Sequence, residues 1–270
     1  MKQTSTLTHM TSGSNARRIS AVARYTLLEA WRNRLLLLVV VAVALLTLLS
    51  VFARELAVTE SVRLQTAILA STLRVASVFL VTLHILSGLT REFNDKFLEL
   101  MLSLDLPRPA YLMGKFLGFV IVALAVAGIA TIPVAVLAPA DAALAWGFSL
   151  ALELLIITAL SVFCITTFTQ LLPAAAFVTA FYLLARSITA IQLMSASSLL
   201  GADELGQKAG AMLADALAFA LPRMDAFAQT AWLVNDAGAQ PALLNMLLQT
   251  GVYVGLLLAA AMFDLYRKNF

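Results

Sequence analysis

The sequence predicts an all-α membrane protein with six transmembrane helices. It adds an N-terminal amphipathic interfacial helix, a short cytoplasmic helix between spans two and three, and an outer amphipathic or re-entrant segment between spans five and six. Three observations predict this. The 270 residues are 61% hydrophobic and only 12% charged, whereas soluble domains carry about 25% charged residues, so polar side chains cannot cover a globule of this size. Six stretches reach the roughly 20 apolar residues that a helix needs to cross a bilayer core. Lys and Arg are unevenly divided between the segments joining those stretches, which orients the chain. The composition excludes a soluble enzyme, a disordered chain and a fibrous one. A single cysteine, Cys164, excludes an intrachain disulfide and a thiolate metal cluster. The net charge of +3 points to no nucleic-acid partner; its placement along the membrane carries the meaning.

Residues 1–16 are polar and small and read as a disordered cytoplasmic tail, without the apolar core of a signal peptide. Residues 17–270 read as one transmembrane domain. Over 17–34, Ile19, Val22, Ala23, Thr26, Leu27 and Ala30 recur at helical spacing. Arg17, Arg18, Arg24 and Arg32 mark the polar side, and Tyr25 and Trp31 suit headgroup depth, so this helix is expected to lie in the interface. The spans are predicted at 35–53, 64–89, 116–138, 143–169, 174–200 and 243–263. The second carries Arg74, the third Pro133, the fourth Glu153 and the fifth Arg186. Residues 170–173 join spans four and five, with Pro173 opening the next helix.

With the N-terminus inside, the inner segments hold Lys2, Arg17, Arg18, Arg24, Arg32, Arg34, Arg91, Lys96, Arg108, Lys115, Arg267 and Lys268. The outer segments hold only Arg54, Arg63, Lys208 and Arg223. That bias predicts both termini on the cytoplasmic side.

Two connections are longer than turns. In the inner one, 90–115, Phe93, Phe97, Leu100, Met101 and Leu104 share a helical face, with Glu92, Asp95, Lys96 and Glu99 on the others. Residues 105–109, with prolines at 107 and 109, stop that helix. From composition it is either an interface-lying loop helix or a docking surface for a soluble partner. In the outer one, 201–242, Leu205, Ala209, Met212, Ala216 and Phe219 form a stripe against Glu204, Lys208 and Asp215. Pro222 ends that helix, and 225–233 resumes a short helical pattern.

Charges inside spans are costly and face a partner or a cavity. Glu153 and Arg186 fall about 15 and 18 Å from opposite faces, and their spans form a hairpin. They are expected to pair near the midplane, either as a fixed brace or lining a substrate path. Arg74 is expected to snorkel outward or meet Glu55 or Glu60, and His84 to be hydrogen-bonded packing. Gly114 and Gly118, and Gly251 and Gly255, are small-xxx-small pairs that permit close helix contact, read as internal packing rather than a dimer seam. Residues 147–151, with Ser149, depart from an intramembrane serine protease at Leu150. An ion-driven secondary transporter would show broken helices in two related halves, which Pro133 alone does not make. A non-transporting membrane scaffold is the remaining alternative.

Arg91-Glu92, Leu98-Glu99-Leu100, Ser103-Leu104, Arg108 and Gly114-Lys115 together resemble the signature between spans two and three of ABC-2 type exporter permeases. Lys96-Phe97 stands where that family has Gly-Thr, and Asp105 where a proline follows Ser-Leu. The acidic Glu153 in span four and residues 221–225 before span six are also similar to the family pattern. Size and layout are similar as well to the permease of nitrous oxide reductase maturation.

The resemblance implies a permease subunit, not itself an enzyme, that pairs with a second copy in the cell inner membrane and is driven by a separate ABC ATPase. ATP and Mg would bind the ATPase, and this chain would hold no cofactor. The inner-loop helix would then be a coupling helix in a groove of the ATPase, using Glu92, Phe93, Asp95, Lys96, Phe97, Glu99, Leu100, Ser103 and Arg108. The only Gly-Lys pair, at 114–115, lacks a glycine five positions earlier and cannot cradle phosphates. With few polar groups in the spans, the expected work is on amphipathic or lipid-linked cargo or on a periplasmic partner.

Overall fold

The computed structural model describes residues 4–56, 61–94, 107–196, 204–228, 233 and 243–267. Among these the backbone forms α1 (Thr4–Arg32), α2 (Leu35–Leu56), α3 (Ser61–Asn94), α4 (Arg108–Leu137) and α5 (Ala140–Phe168). It continues with α6 (Leu171–Ala196), α7 (Glu204–Ala220), α8 (Met224–Phe227) and α9 (Leu243–Arg267). Six of these, α2, α3, α4, α5, α6 and α9, are long and apolar enough to cross a membrane. The chain is a multi-pass membrane protein. Helices are the expected solution in hydrocarbon, where each backbone N–H and C=O must find its partner within the segment.

The bundle is assembled around α5, which packs against α3, α4, α6, α8 and α9. Its most apolar stretch is 78% buried, against 17% for α2 and α9. Hydropathy does not set this order, since α2 is more apolar than α5 and yet faces outward. The peripheral helices turn Leu45, Leu48, Phe52, Leu244, Leu248 and Leu256 outward.

α1 does not float free of this body. Its expected apolar stripe is real, but Val22, Ala23, Thr26 and Ala30 are buried against α4 rather than in lipid. The fit depends on Gly114 and Gly118: a Cβ at either would stand 2.6 Å from the Cβ of Val22 or of Thr26. The same helix begins at Thr4. Once 17–32 is held, each added residue brings one hydrogen bond without a new nucleation cost, and no proline interrupts 4–16.

Several boundaries lie beyond the apolar stretches. α3 runs on to Asn94 and α4 starts at Arg108, because polar residues continue a helix where hydropathy no longer marks it. Residues 95–106, and with them the expected coupling helix and Asp95, Lys96, Phe97, Glu99, Leu100 and Ser103, lie outside the described residues. Two left-handed residues make the tight connections: Arg34 (φ 55°) between α1 and α2, and Thr169 (φ 58°) after α5. α6 therefore starts at Leu171, and Pro173 sits in its first turn, where the missing amide costs no bond.

At the opposite end from 95–106, α7 packs on α6 and stops two residues before Pro222. The Tyr253 hydroxyl of α9 donates to the Ala220 carbonyl at 3.3 Å. Met224 and Phe227 of α8 are fully buried.

Replacing Gly118 by Val should push α1 from α4 and cost about 1–3 kcal/mol, the usual penalty for overpacking. Gly251→Val, whose Cβ would meet nothing within 4 Å, should stay within about 0.5 kcal/mol, as surface changes do. Thermal unfolding of the two purified variants in detergent checks the contrast.

Candidate functional site

Among the described residues, two clusters of paired charges interrupt the apolar bundle. The first joins α3, α5 and α6. Trp146, Ser149 and Glu153 are spaced i, i+3, i+7 and so share one face of α5. Arg74 of α3 enters that face: its Nη1 donates to Glu153 Oε2 at 2.5 Å. Its Nη2 donates to Ser149 Oγ at 2.9 Å and to the Trp146 carbonyl at 3.4 Å. The guanidinium carbon stands 5.0 Å from the centre of the Trp146 ring. Arg74 and Glu153 are both fully buried.

Arg186 of α6 completes the cluster at its margin. It donates to the Tyr182 hydroxyl at 3.0 Å and lies 3.9 Å from Glu153 Oε1, with its side chain 26% exposed. Two cations thus share one carboxylate. Glu153 Oε1, Arg74 Nε and Trp146 Nε1 have no hydrogen-bond partner among the described residues.

This arrangement brings Glu153 and Arg186 together and gives Arg74 a partner that was not expected. Glu153 does engage Arg186, but at a distance too long for a hydrogen bond; its close partner is Arg74. Arg74 in turn does not snorkel but is buried on Glu153; the expected contacts with Glu55 or Glu60 fall on side chains outside the described residues. It sits among buried Leu69, Ala70, Leu73 and Ser77 on the packed face of α3, where the nearest countercharge is Glu153.

The second cluster lies at the roots of the 95–106 segment. Glu92, in the last turn of α3, accepts from Lys115 of α4 through Oε1. Its Oε2 accepts from the Tyr111 hydroxyl at 2.5 Å. Lys115 also reaches Glu29 Oε2 of α1 at 3.5 Å, and Arg91 reaches Glu29 Oε1 at 2.5 Å. Lys115 Nζ stands 5.4 Å from the centre of the Tyr25 ring and 5.9 Å from that of Phe119. The Arg91 side chain is half exposed, so that bond is screened by water and worth little. Lys115 and Glu92 are buried, and their pairing fastens the two ends of the segment to each other and to α1.

Glu92 is therefore an inward clasp, not part of an outward polar face. Phe93 packs against Val22 and Tyr111. Arg108 donates to the carbonyls of Leu265 and Tyr266 at 3.0 and 3.3 Å, capping the last turn of α9, where a cation suits the helix dipole. Arg24, Tyr25, Trp31 and Arg32 are exposed on α1. His84 meets Phe119 edge-on, ring centres 6.0 Å apart.

No protein-family model matches this sequence, and no curated protein matches it. The site is thus described by its own chemistry. Among the described residues no three His, Cys, Asp or Glu side chains gather to hold a metal. What the clusters can do is brace helices and carry displacement between them.

Sequence reasoning singled out Glu153, Arg186, Arg74 and Glu92, but passed over Glu29, Tyr111, Trp146 and Tyr182 and gave Lys115 no role of its own. Two signals were available: the polar spacing of 146, 149 and 153, and Glu29 as the one acidic residue within an arginine-rich helix.

Glu153→Gln leaves Arg74 buried and unpaired and should cost about 3–5 kcal/mol. The double change Arg74→Met with Glu153→Gln removes both charges and should recover most of that loss. Thermal unfolding in detergent decides it: equal damage from the single and double variants would contradict the pairing.

Proposed function

We propose that this chain is the transmembrane permease subunit of an ABC-2 type transporter, coupling ATP hydrolysis by a separate ABC ATPase to export or to work on an outer-side partner. The observation that carries the reading is the clasp of Glu29, Glu92 and Lys115 at the roots of residues 95–106. A soluble partner pulling on that segment would pull α3 and α4 together, and α1 with them. A segment tied to one helix alone would bend instead of moving the bundle. The resemblance of residues 91–115 to the permease signature supplies the nature of the partner.

In this reading both termini and residues 95–106 are cytoplasmic, following the Lys and Arg bias. The protein lies in the cell inner membrane, ATP and Mg bind the ATPase, and two permease copies form the transporter. Amphipathic or lipid-linked cargo suits spans with few polar groups. The Arg74–Glu153–Arg186 cluster joins three helices that would tilt together.

Co-purification with an ABC ATPase encoded beside this gene, and vanadate-sensitive ATP hydrolysis by the pair, test the proposal. Lys115→Met should leave membrane insertion intact while lowering permease-stimulated ATP turnover about tenfold, the equivalent of 1.4 kcal/mol. Glu99→Arg or Phe97→Asp should weaken ATPase association. Labelling of cysteines placed at 95–106 from the outer side of the membrane would overturn the reading, as would cargo movement by the chain without any ATPase.

A further inference from the structure

Beside the second end of the bundle lies a cleft of about 490 Å³ between the ends of α6, α7 and α9. That volume is in the range of small-ligand sites, roughly 300–1,000 Å³. Its wall includes Gln192, Asp215, Phe219, Arg223, Gln249 and Tyr253, a mixture that the apolar bundle does not need for packing.

The depth of the cleft narrows the occupant. Gln192 stands within the spanning-length stretch of α6, and Gln249 and Tyr253 within that of α9. Thr189, three residues or about 4.5 Å from Gln192 along α6, donates to Asp225 at 2.5 Å, which sets Arg223 nearby in height. Headgroup layers add roughly 5–8 Å on each side of the hydrocarbon core. The polar lining therefore lies toward the ends of two helices of spanning length, on the hydrocarbon side of the border with the headgroups.

The chemistry narrows it further. Arg223 is exposed and has no hydrogen-bond or ion-pair partner among the described residues, so a guanidinium suited to bidentate phosphate contact is unused. Asp215 accepts from the Gln192 amide through Oδ1 at 3.0 Å, leaving Oδ2 unpartnered among the described residues. Tyr253 spends its proton on Ala220 and keeps lone pairs to accept. Phe219 is 91% exposed, and Met212 and Leu213 on α7 are exposed as well, giving an apolar track beside the polar pocket.

We propose that this cleft binds the zwitterionic headgroup of a membrane phospholipid, with its phosphate on Arg223, a primary ammonium on Asp215, and an acyl chain along α7. A quaternary ammonium would offer Asp215 and Tyr253 no N–H to accept. The proposal does not rest on the transport reading, since binding is measured on this chain alone.

Native mass spectrometry of the full chain in detergent, titrated with phosphatidylethanolamine, phosphatidylcholine and phosphatidylglycerol of matched acyl chains, tests it. Phosphatidylethanolamine should bind most tightly. Arg223→Gln should weaken its binding about tenfold, as expected for losing a charged hydrogen bond. Asp215→Asn should reduce phosphatidylethanolamine to the level of phosphatidylcholine while leaving the other two lipids unchanged. Arg267→Gln, at the other end of the bundle, should change nothing. Equal binding of the three lipids, unaltered in the Arg223 and Asp215 variants, would mean annular lipid only and would overturn the site. Thermal protection by inorganic phosphate or free phosphoethanolamine equal to that by the lipid would mean a soluble ligand and would overturn the lipid assignment.

Discussion

An arginine sealed inside a hydrophobic bundle leaves little freedom to what surrounds it. Arg74 is fully buried, and an ion in that setting persists only if a countercharge and hydrogen-bond acceptors meet it. Glu153, Ser149 and the Trp146 carbonyl do so from a single face of α5. That requirement fixes the rotation and height of α3 against α5, because a sliding or turning of either helix would strand a charge in hydrocarbon. Arg186 and Tyr182 bring α6 into the same arrangement. Such a pair adds little net stability over a well-packed apolar core. Its role is to select one packing of otherwise interchangeable apolar helices.

The second cluster repeats this logic near the membrane edge. Lys115 and Glu92 are buried, and the glycines at 114 and 118 bring α1 close enough for Glu29 to join them. Small residues set the approach of the backbones, and charges set their register. The consequence is a block of three helix ends around residues 95–106, stiff where a moving partner would need purchase. The proposed permease function draws on that stiffness, and the cleft at the other end is a separate feature with its own chemistry.

The polar residues of α5 were legible in part. Glu153 announced itself as a carboxylate within a span, but its depth alone was compatible with Arg186 and with Arg74. The same holds for Lys115, which in sequence is merely a basic residue at a span boundary, and for Glu92, whose helical-wheel position suggested an outward face. Neither assignment could be made without knowing that α1 lies across α4. Gly114 and Gly118 did mark internal packing, whereas Gly251 and Gly255 are open in the monomer.

By itself the amino-acid sequence determined six apolar helices of spanning length and the amphipathic character of the helix before them, because both follow from hydropathy and its period along a single segment. Only the tertiary structure decided which helix is central, which cation holds Glu153, and that α1 covers α4. Those depend on the lateral order and rotation of helices whose apolar surfaces are nearly equivalent. In a lipid-facing bundle, apolar burial distinguishes those arrangements weakly, and a few charges and glycines far apart in the chain break the tie.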